Sequence, residues 1–299
     1  MSAAAPTYLE RLGARSAATG TVLCLGIDPD PTALPDGFSA DLAGVERFAD
    51  LLLDACMPFA AAVKPNLAFF EAYGSAGWAA LERVRARIPA DVPVIADAKR
   101  GDISTTSARQ VVAYFDHLGV DAVTISPYLG EEAIAAYIGR ADRFAYVLCR
   151  TSNPGAAEVQ GLIVAAREAA ADRPGAPAEP LWARIARDVA TWGPGGTTGL
   201  VVGATAPGEL RAVREIAPGI AVLVPGIGAQ GGDIGAVLEA GPATASPAGD
   251  RPGGGLLINV SRGIASAAVG TPGPGASPDL AERLAEAARS WSRKLPVLP

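Results

Sequence analysis

Three charged side chains at the ends of apolar runs are the first candidates for chemistry. Asp97 and Lys99 stand two residues apart at the end of the run 92–99, and Lys64 lies near the end of the run 60–66. Residues two apart on a β-strand share a face, so Asp97 and Lys99 are expected to lie together. Ammonium and carboxylate groups interleaved in this way would keep one another charged, and a lysine among them could transfer a proton.

The rarity of lysine makes these positions informative. Only three of the 25 basic residues are lysine, namely Lys64, Lys99 and Lys294, and the others are arginine. Arginine keeps its proton almost always, whereas lysine releases one when its environment requires it. We therefore interpret Lys64 and Lys99 as functional and Lys294, near the C-terminus, as a solvated charge. The alternative is an ion-pair network without chemistry.

Asp102 adds a second carboxylate to the same stretch of sequence. It ends the segment Asp97-Ala-Lys-Arg-Gly-Asp102, in which Gly101 permits a turn away from the strand. At about 4 Å, each attractive contact in such a set is worth roughly 4 kcal/mol at an effective dielectric constant near 20. Desolvation opposes this gain, so only a well-formed site would hold all four charges.

Eight short apolar runs could supply the strands that position these residues. Continuous apolar runs are typical of parallel strands covered on both faces, and helix-like stretches such as residues 41–57 separate them. Eight strand–helix alternations favour the α/β class and a closed (β/α)₈ barrel, a TIM barrel, with its active site at the C-terminal strand ends. The runs are residues 21–28, 60–66, 92–99, 122–126, 144–151, 199–205, 221–228 and 255–261.

The chain is predicted to form a single barrel domain over residues 1–299, with an N-terminal helical extension. Two segments depart from the repeat. Residues 155–180 form an insertion after the fifth strand with an alanine-rich, helix-like middle. Residues 241–255 are predicted to be a flexible surface loop, because they are rich in glycine, proline and alanine.

Composition excludes several functional classes. The net charge of −6 and the absence of any basic stripe argue against nucleic-acid binding. No stretch approaches 18 apolar residues and no secretion signal is visible, so we expect a cytoplasmic protein without a membrane span. Three cysteines suit a reducing compartment. No residues have metal-ligand spacing, so neither a metal nor a cofactor is predicted.

A phosphate site is predicted at the ends of the last two strands. Backbone amides of the glycine-rich run 226–232 precede a helix that starts near Asp233, and Arg262 follows the eighth strand. TIM barrels bind phosphate at this place, and arginine provides a two-pronged donor. Gln230 would close over the phosphate as part of a lid. Alternatively, the glycines of the run 226–232 serve only to form a tight turn between the strand and the following helix.

The motifs together resemble the orotidine 5′-phosphate decarboxylase family in its longer bacterial form, the type 2 subfamily. Segment 95–103 matches the DxKxxD motif of the superfamily, and five further segments resemble the decarboxylase itself, in order from the first strand to the eighth. They are Gly26-Ile-Asp-Pro29, Val63-Lys-Pro-Asn66, Thr151-Ser-Asn-Pro-Gly155, Pro225-Gly-Ile-Gly-Ala-Gln-Gly-Gly-Asp233 and Asn259-Val-Ser-Arg-Gly-Ile264.

This resemblance implies decarboxylation of orotidine 5′-phosphate to UMP, the last step of de novo pyrimidine nucleotide synthesis. Lys99 would protonate C6 of the pyrimidine as CO₂ leaves, and Asp97 would lie beside the departing carboxylate. Lys64 would position Asp97 and stabilise developing charge. Asp102 and Thr106 would come from the partner subunit of a homodimer with shared sites.

The resemblance also implies substrate contacts. Asp28 would accept a ribose hydroxyl, and Ser126 and Asn153 would reach the pyrimidine. Each of these three also suits an ordinary turn beside proline. The remaining predicted substrate-binding residues are Ile103, Pro225, Gly231, Gln230 and Arg262.

Three other functions remain open at this point. A sugar-phosphate synthase or lyase sharing DxKxxD would use Mg²⁺ and would be expected to carry a carboxylate in place of Lys64. An aldolase would form a Schiff base on Lys64 or Lys99. A non-catalytic protein could bind a nucleotide phosphate on the same scaffold.

Overall fold

The computed structural model describes residues 5–165, 178–228, 231–269 and 279–298. Its strands comprise eight that each overlap one predicted apolar run and two further short ones. They are β1 (Leu23–Ile27), β2 (Ala62–Pro65), β3 (Ile95–Arg100), β4 (Ala122–Ile125), β5 (Phe144–Arg150), β6 (Ile163–Val164), β7 (Glu179–Pro180), β8 (Thr198–Val202), β9 (Ala221–Val224) and β10 (Leu256–Val260).

Eight of these strands form a nearly closed parallel barrel. Their order around the sheet is β2-β1-β10-β9-β8-β5-β4-β3, and only the short pair β6 and β7 lies outside it among the described strands. The two ends of this order meet through parallel bridges between Val63 and Val94 and between Asn66 and Asp97. The amide of Val63 also donates to the carbonyl of Pro93 at 2.9 Å. The predicted (β/α)₈ barrel is confirmed.

Helices follow the strands and pack around the barrel, as the alternating pattern predicts. They are α1 (Tyr8–Thr19), α2 (Leu42–Cys56), α3 (Ala68–Glu71), α4 (Gly74–Ala86), α5 (Ser104–Val111), α6 (Glu131–Ile138), α7 (Ala156–Gln160), α8 (Leu181–Val189), α9 (Pro207–Ile216), α10 (Ile234–Ala240), α11 (Arg262–Ala265) and α12 (Leu280–Lys294). A π-helical turn, Val112–His117, continues α5.

The helix predicted over residues 41–57 shows why these segments fold as they do. The carboxylate of Asp41 accepts the amide of Gly44 at 2.9 Å and so caps the start of α2. Val45, Phe48 and Leu52 recur at helical spacing and are buried against the barrel. Local capping and apolar periodicity therefore agree, and this prediction is confirmed.

The N-terminal helix α1 closes the barrel at the end opposite the predicted active site. The buried ring of Tyr8 stacks on Phe144 with centroids 4.6 Å apart, and its hydroxyl lies 3.2 Å from that of Tyr146. Arg11 pairs with Asp121, just before β4, at 2.6 Å. These contacts close-pack the barrel interior at the N-terminal ends of the strands. The polar residues at the C-terminal ends are therefore supported by a tightly packed core.

The segment 241–255, predicted to be a flexible surface loop, is exposed over much of its length but is anchored by buried residues that the prediction missed. Ala243, Ala248 and the glycines of the 3₁₀ segment Pro252–Gly255 are buried, and the two alanines belong to the same apolar cluster as Tyr8. Small residues here reflect close packing beneath the barrel, since an added Cβ at Gly254 would lie 2.7 Å from the amide nitrogen of Ala243.

The insertion near residues 155–180 is described only at its ends. It begins with α7, and β6 pairs antiparallel with β7 through Ile163–Pro180 and Val164–Glu179. Most of its predicted alanine-rich helical middle lies outside the described residues. No helix in the part of the chain described here is long and apolar enough to cross a membrane.

Candidate active site

Three charged side chains, Lys64, Asp97 and Lys99, meet at the C-terminal ends of β2 and β3, and we call them the charge array. The Lys64 ammonium donates a hydrogen bond to Oδ2 of Asp97. The Lys99 ammonium donates to Oδ1 of the same carboxylate at 2.6 Å. The predicted meeting of these residues is therefore confirmed, although their chemical roles are a separate question.

Burial differs sharply within the charge array. The side chains of Lys64 and Asp97 are 4% and 11% exposed, whereas that of Lys99 is 53% exposed. Burial opposes ionisation of Asp97, but the two ammonium groups outweigh it and hold the pKa of Asp97 well below its ordinary value. Burial likewise opposes the charge on Lys64, yet Asp97 and Asp28 raise its pKa above its ordinary value. At neutral pH Lys64 and Asp97 are therefore both ionised.

Lys99 does not occupy a regular strand position, contrary to the alternation from which its placement was predicted. Its φ is 49°, and the register between β3 and β4 shifts between Ala96 and Arg100. A residue with a Cβ rarely adopts this left-handed conformation, and such strain concentrates at functional sites. The Lys99–Asp97 contact therefore comes from a bulge in β3, not from the regular pleat.

Gly101 completes this irregular segment. Its φ is 156°, and an added Cβ would lie 2.8 Å from the carbonyl oxygen of Ser126. Glycine is therefore required where β3 turns into the loop that carries Asp102, as the sequence predicts.

Thr124, on β4, contacts the charge array and was missed by the sequence analysis. Its hydroxyl accepts the amides of Ala98 and Lys99, each at 3.0 Å, and donates to Oδ1 of Asp97 at 3.0 Å. A polar residue inside the apolar run 122–126 was the available signal, because buried polar groups need partners.

Arg100 ties the end of β3 to its surroundings and was also missed. Its guanidinium donates to the hydroxyl of Tyr114 at 2.7 Å and to the carbonyl of Ala98 at 2.9 Å. It also pairs with Glu71 on α3, the helix that follows the strand of Lys64. The segments carrying the two lysines are thus joined by a second ion pair.

The buried part of the charge array opens into one cleft at the barrel mouth. Two residues that line this cleft, Asp28 and Asn259, each have a buried Oδ1 atom that has no hydrogen-bond partner among the described residues. Such acceptors suit the hydroxyl or N–H groups of a ligand. The cleft is lined by Asp28, Lys64, Asp97, Ser152, Pro225, Gly226, Ile227, Asn259, Ser261, Arg262 and Gly263.

The predicted phosphate-binding residue Arg262 and the predicted substrate-binding residue Pro225 line this same cleft. The indole of Trp291 on α12 donates to the carbonyl of Gly263 at 3.0 Å and supports the turn beside Arg262. Gly231 is exposed, with its amide donating to the carbonyl of Gly228 at 3.0 Å. Helix α10 starts after Asp233, close to the predicted position, and the carboxylate of Asp233 caps it by accepting the amide of Ala236.

The predicted lid residue, Gln230, lies outside the described residues.

Asp102, Ile103 and Thr106 do not join the charge array within this chain. They lie at the start of α5, where Oδ1 of Asp102 accepts the amide of Ile103 at 2.7 Å. The amide of Thr106 donates to the carbonyl of Ile103 at 3.0 Å. No ion pair between Asp102 and either lysine of the charge array occurs in the described structure.

Ser126 and Asn153 also lie outside the cleft that contains Lys64. Ser126 lines a neighbouring groove between β4, β5 and α8. Asn153 is exposed, and its side-chain oxygen accepts the hydroxyl of Thr151 at 2.6 Å. Within residues 5–165, 178–228, 231–269 and 279–298, no group of three or more His, Cys, Asp or Glu side chains could hold a metal ion.

Comparisons with known proteins identify relatives over most of the chain. A model of the orotidine 5′-phosphate decarboxylase / HUMPS family matches residues 21–271. An orotidine 5′-phosphate decarboxylase of Herpetosiphon aurantiacus is 42% identical over 265 residues, covering 88% of this chain and 91% of that protein. The relative from Thermomicrobium roseum, with the same name, is 41% identical, covering 97% of this chain and 93% of its own length.

A solved structure shares both the fold and the sequence similarity. The OMP decarboxylase of Leishmania donovani superposes with a TM-score of 0.73 at 35% identity, covering 96% of this chain and 99% of that one.

The buried pair of Lys64 and Asp97 predicts a bell-shaped pH dependence of stability, measured as the difference between the wild type and Lys64→Met. The lowered pKa of Asp97 means that its contribution is complete above its unfolded value, about 3.9, and is lost as pH falls. The raised pKa of Lys64 means that its contribution is complete below about 10.4 and is lost as pH rises.

Urea unfolding followed by tryptophan fluorescence should show an excess free energy of roughly 3 kcal/mol for the wild type between about pH 5 and 9. The excess should shrink outside that range. Lys294→Met, at an exposed lysine, is the matched control and should change little. A difference that varies steeply through pH 7 would contradict the assigned ionisation.

Proposed function

The chain belongs to the orotidine 5′-phosphate decarboxylase / HUMPS family, and we propose that it converts orotidine 5′-phosphate to UMP and CO₂ in pyrimidine nucleotide synthesis. The observation that carries the proposal is the Lys64–Asp97–Lys99 charge array, whose buried pair lines a cleft also lined by Arg262. Such a cleft suits a substrate that has a reacting carboxylate at one end and a phosphate at the other.

In the proposed reaction, the bond between C6 and the carboxylate breaks and its electron pair stays on C6. Lys99 supplies the proton that forms the new C6–H bond, since its ammonium lies on the open side of the charge array. Asp97, held ionised, lies beside the departing carboxylate and disfavours the bound substrate relative to the transition state. The buried ammonium of Lys64 keeps Asp97 in place and stabilises developing negative charge.

Phosphate binding would supply the energy for closure and positioning. Arg262 and Gly226, which follow β10 and β9, line the same cleft as Lys64 and Asp97. Binding energy from a remote phosphate can drive a loop to close and exclude water from the reacting carbon. We assign that closure to the segment with Gln230 and Gly231, and assign Pro225 to the cleft wall against the substrate.

We assign the residues that contact the ribose and the pyrimidine of the substrate from two features, a buried acceptor without a partner and a position at the end of a strand. Oδ1 of Asp28 has no protein partner among the described residues and is assigned to a ribose hydroxyl. Ser126 and Asn153, which follow β4 and β5, are assigned to the pyrimidine.

We further propose a homodimer with shared sites. Asp102 and Thr106 lie apart from the charge array of their own chain, which leaves Asp102 available as the fourth charge of a partner's site. Ile103, Tyr128 and Leu129, in the loops after β3 and β4, are exposed apolar side chains. An apolar surface of this kind beside Asp102 favours association.

Two alternatives fit the observations less well. A Mg²⁺-dependent relative would be expected to carry a carboxylate at the position of Lys64, whose ammonium instead pairs with Asp97. An aldolase needs a neutral amine to form a Schiff base, and the raised pKa of Lys64 keeps its amine protonated. The three free, buried cysteines support the proposed cytoplasmic location.

A spectrophotometric assay of orotidine 5′-phosphate consumption, in EDTA and without cofactor, tests the activity. We expect turnover by the wild type and a loss of about 10⁴-fold in kcat for Lys99→Ala, because a general acid contributes on that order. UMP should still bind this variant, and Lys294→Ala should retain full activity. Turnover that disappears in EDTA would point to the Mg²⁺-dependent alternative.

Arg262→Ala should chiefly weaken phosphate recognition. We expect KM for orotidine 5′-phosphate to rise about 10- to 100-fold, the effect of losing a charge-assisted hydrogen bond. Turnover of orotidine, which lacks the phosphate, should not change. Arg211→Ala, at an exposed arginine, serves as control. An equal loss with both substrates would remove Arg262 from phosphate binding.

Mixed dimers test whether sites are shared. Lys99→Ala and Asp102→Ala homodimers should each be nearly inactive. A heterodimer of the two contains one site with both residues intact, so we expect about half of the wild-type activity per dimer. Purified heterodimers, confirmed by mass spectrometry, that remain inactive would refute the assignment of Asp102 to the partner's site.

A further inference from the structure

The hydroxyl of Thr124 uses its whole hydrogen-bonding capacity on the segment that carries Asp97 and Lys99. A threonine hydroxyl has one proton and two acceptor positions. The amides of Ala98 and Lys99 occupy the acceptor positions, each at 3.0 Å, and the proton is directed to Oδ1 of Asp97 at 3.0 Å. Because both acceptor positions are filled, the hydroxyl can meet Asp97 only as a donor, and an ionised carboxylate is the stronger acceptor for it.

The two amide contacts coincide with the irregular part of β3. Lys99 has a φ of 49°, which is unfavourable for a residue with a side chain. Ala98 and Lys99 donate to a side chain of β4 instead of a regular strand partner, and the register between the strands shifts at this point. Thr124 is 2% exposed, so water cannot replace its hydroxyl without a rearrangement of the core.

Asp97 Oδ1 receives both the Lys99 ammonium and the Thr124 hydroxyl, whereas Oδ2 receives Lys64. When Lys99 gives up its proton it becomes neutral and holds Asp97 less firmly. The Thr124 hydroxyl and the Lys64 ammonium remain to keep the carboxylate in the same orientation. The Thr124 hydroxyl does not titrate, so it keeps the Asp97 carboxylate in the same orientation while Lys99 loses its proton.

We propose that Thr124 is a positioning residue for the decarboxylation: its hydroxyl holds the left-handed conformation of Lys99 and the orientation of Asp97. This inference rests on the proposed function and adds to it a residue on a third strand. It predicts an effect on kcat and not on substrate binding, since Thr124 does not line the cleft.

The test compares Thr124→Ser with Thr124→Ala, which differ from each other only in the hydroxyl. We expect kcat to fall roughly 10- to 100-fold in Thr124→Ala, because a displacement of about 1 Å at a reacting group can cost this much. KM should change less than about threefold, and Thr124→Ser should restore most of kcat. Thr197→Ala is the matched control, because the buried hydroxyl of Thr197 has no partner among the described residues.

A crystal structure of Thr124→Ala provides a readout that does not depend on turnover. We expect Lys99 to relax to a negative φ and its ammonium to leave Asp97. Unchanged Lys99 geometry, unchanged kcat, or a Ser variant as impaired as the Ala variant would overturn the inference. A wild type that consumes no orotidine 5′-phosphate would overturn the proposed function instead. A folded Thr124→Ser variant would show that the position tolerates substitution.

Discussion

The ion pair between Lys64 and Asp97 imposes the strictest requirement on this structure. Removing two charges from water costs several kcal/mol per ion, so a buried pair persists only when further hydrogen bonds complete it. Here Lys99 and Thr124 supply those bonds to the second oxygen of Asp97. The bulge in β3 is the backbone arrangement that lets both donors reach one carboxylate, and it explains why a strained lysine is retained there.

This pair lies where the barrel closes on itself. Lys64 is on β2 and Asp97 on β3, the two strands at the ends of the sheet order, joined there by isolated bridges. The Arg100–Glu71 ion pair crosses the same junction outside the cleft. The junction between β2 and β3 has few backbone hydrogen bonds, and these two ion pairs add electrostatic attraction that stabilises it. The arrangement couples closure of the fold to assembly of the charge array.

The charged side chains around the cleft come from different strands. The charge array belongs to β2 and β3, whereas Arg262 follows β10 and its turn is supported by Trp291 of the last helix. A substrate with a phosphate would reach both sets of residues, so binding energy gained at one end can position atoms at the other. The unpaired oxygens of Asp28 and Asn259 lie in the same cleft and would be satisfied by such a ligand.

The sequence by itself determined the barrel, the strand ends and most of the charged residues, because apolar runs, helix periodicity and rare lysines are local patterns. Tertiary structure alone decided the left-handed Lys99, the hydrogen bonds of Thr124 to the same segment, and the burial of Ala243 and Ala248 beneath the barrel. Thr124 lies 25 residues from Lys99, and Ala243 is buried in one cluster with Tyr8 of the first helix. Contacts between segments that are distant in the chain produce no periodic pattern in the sequence, because each contact depends on how the strands and helices pack.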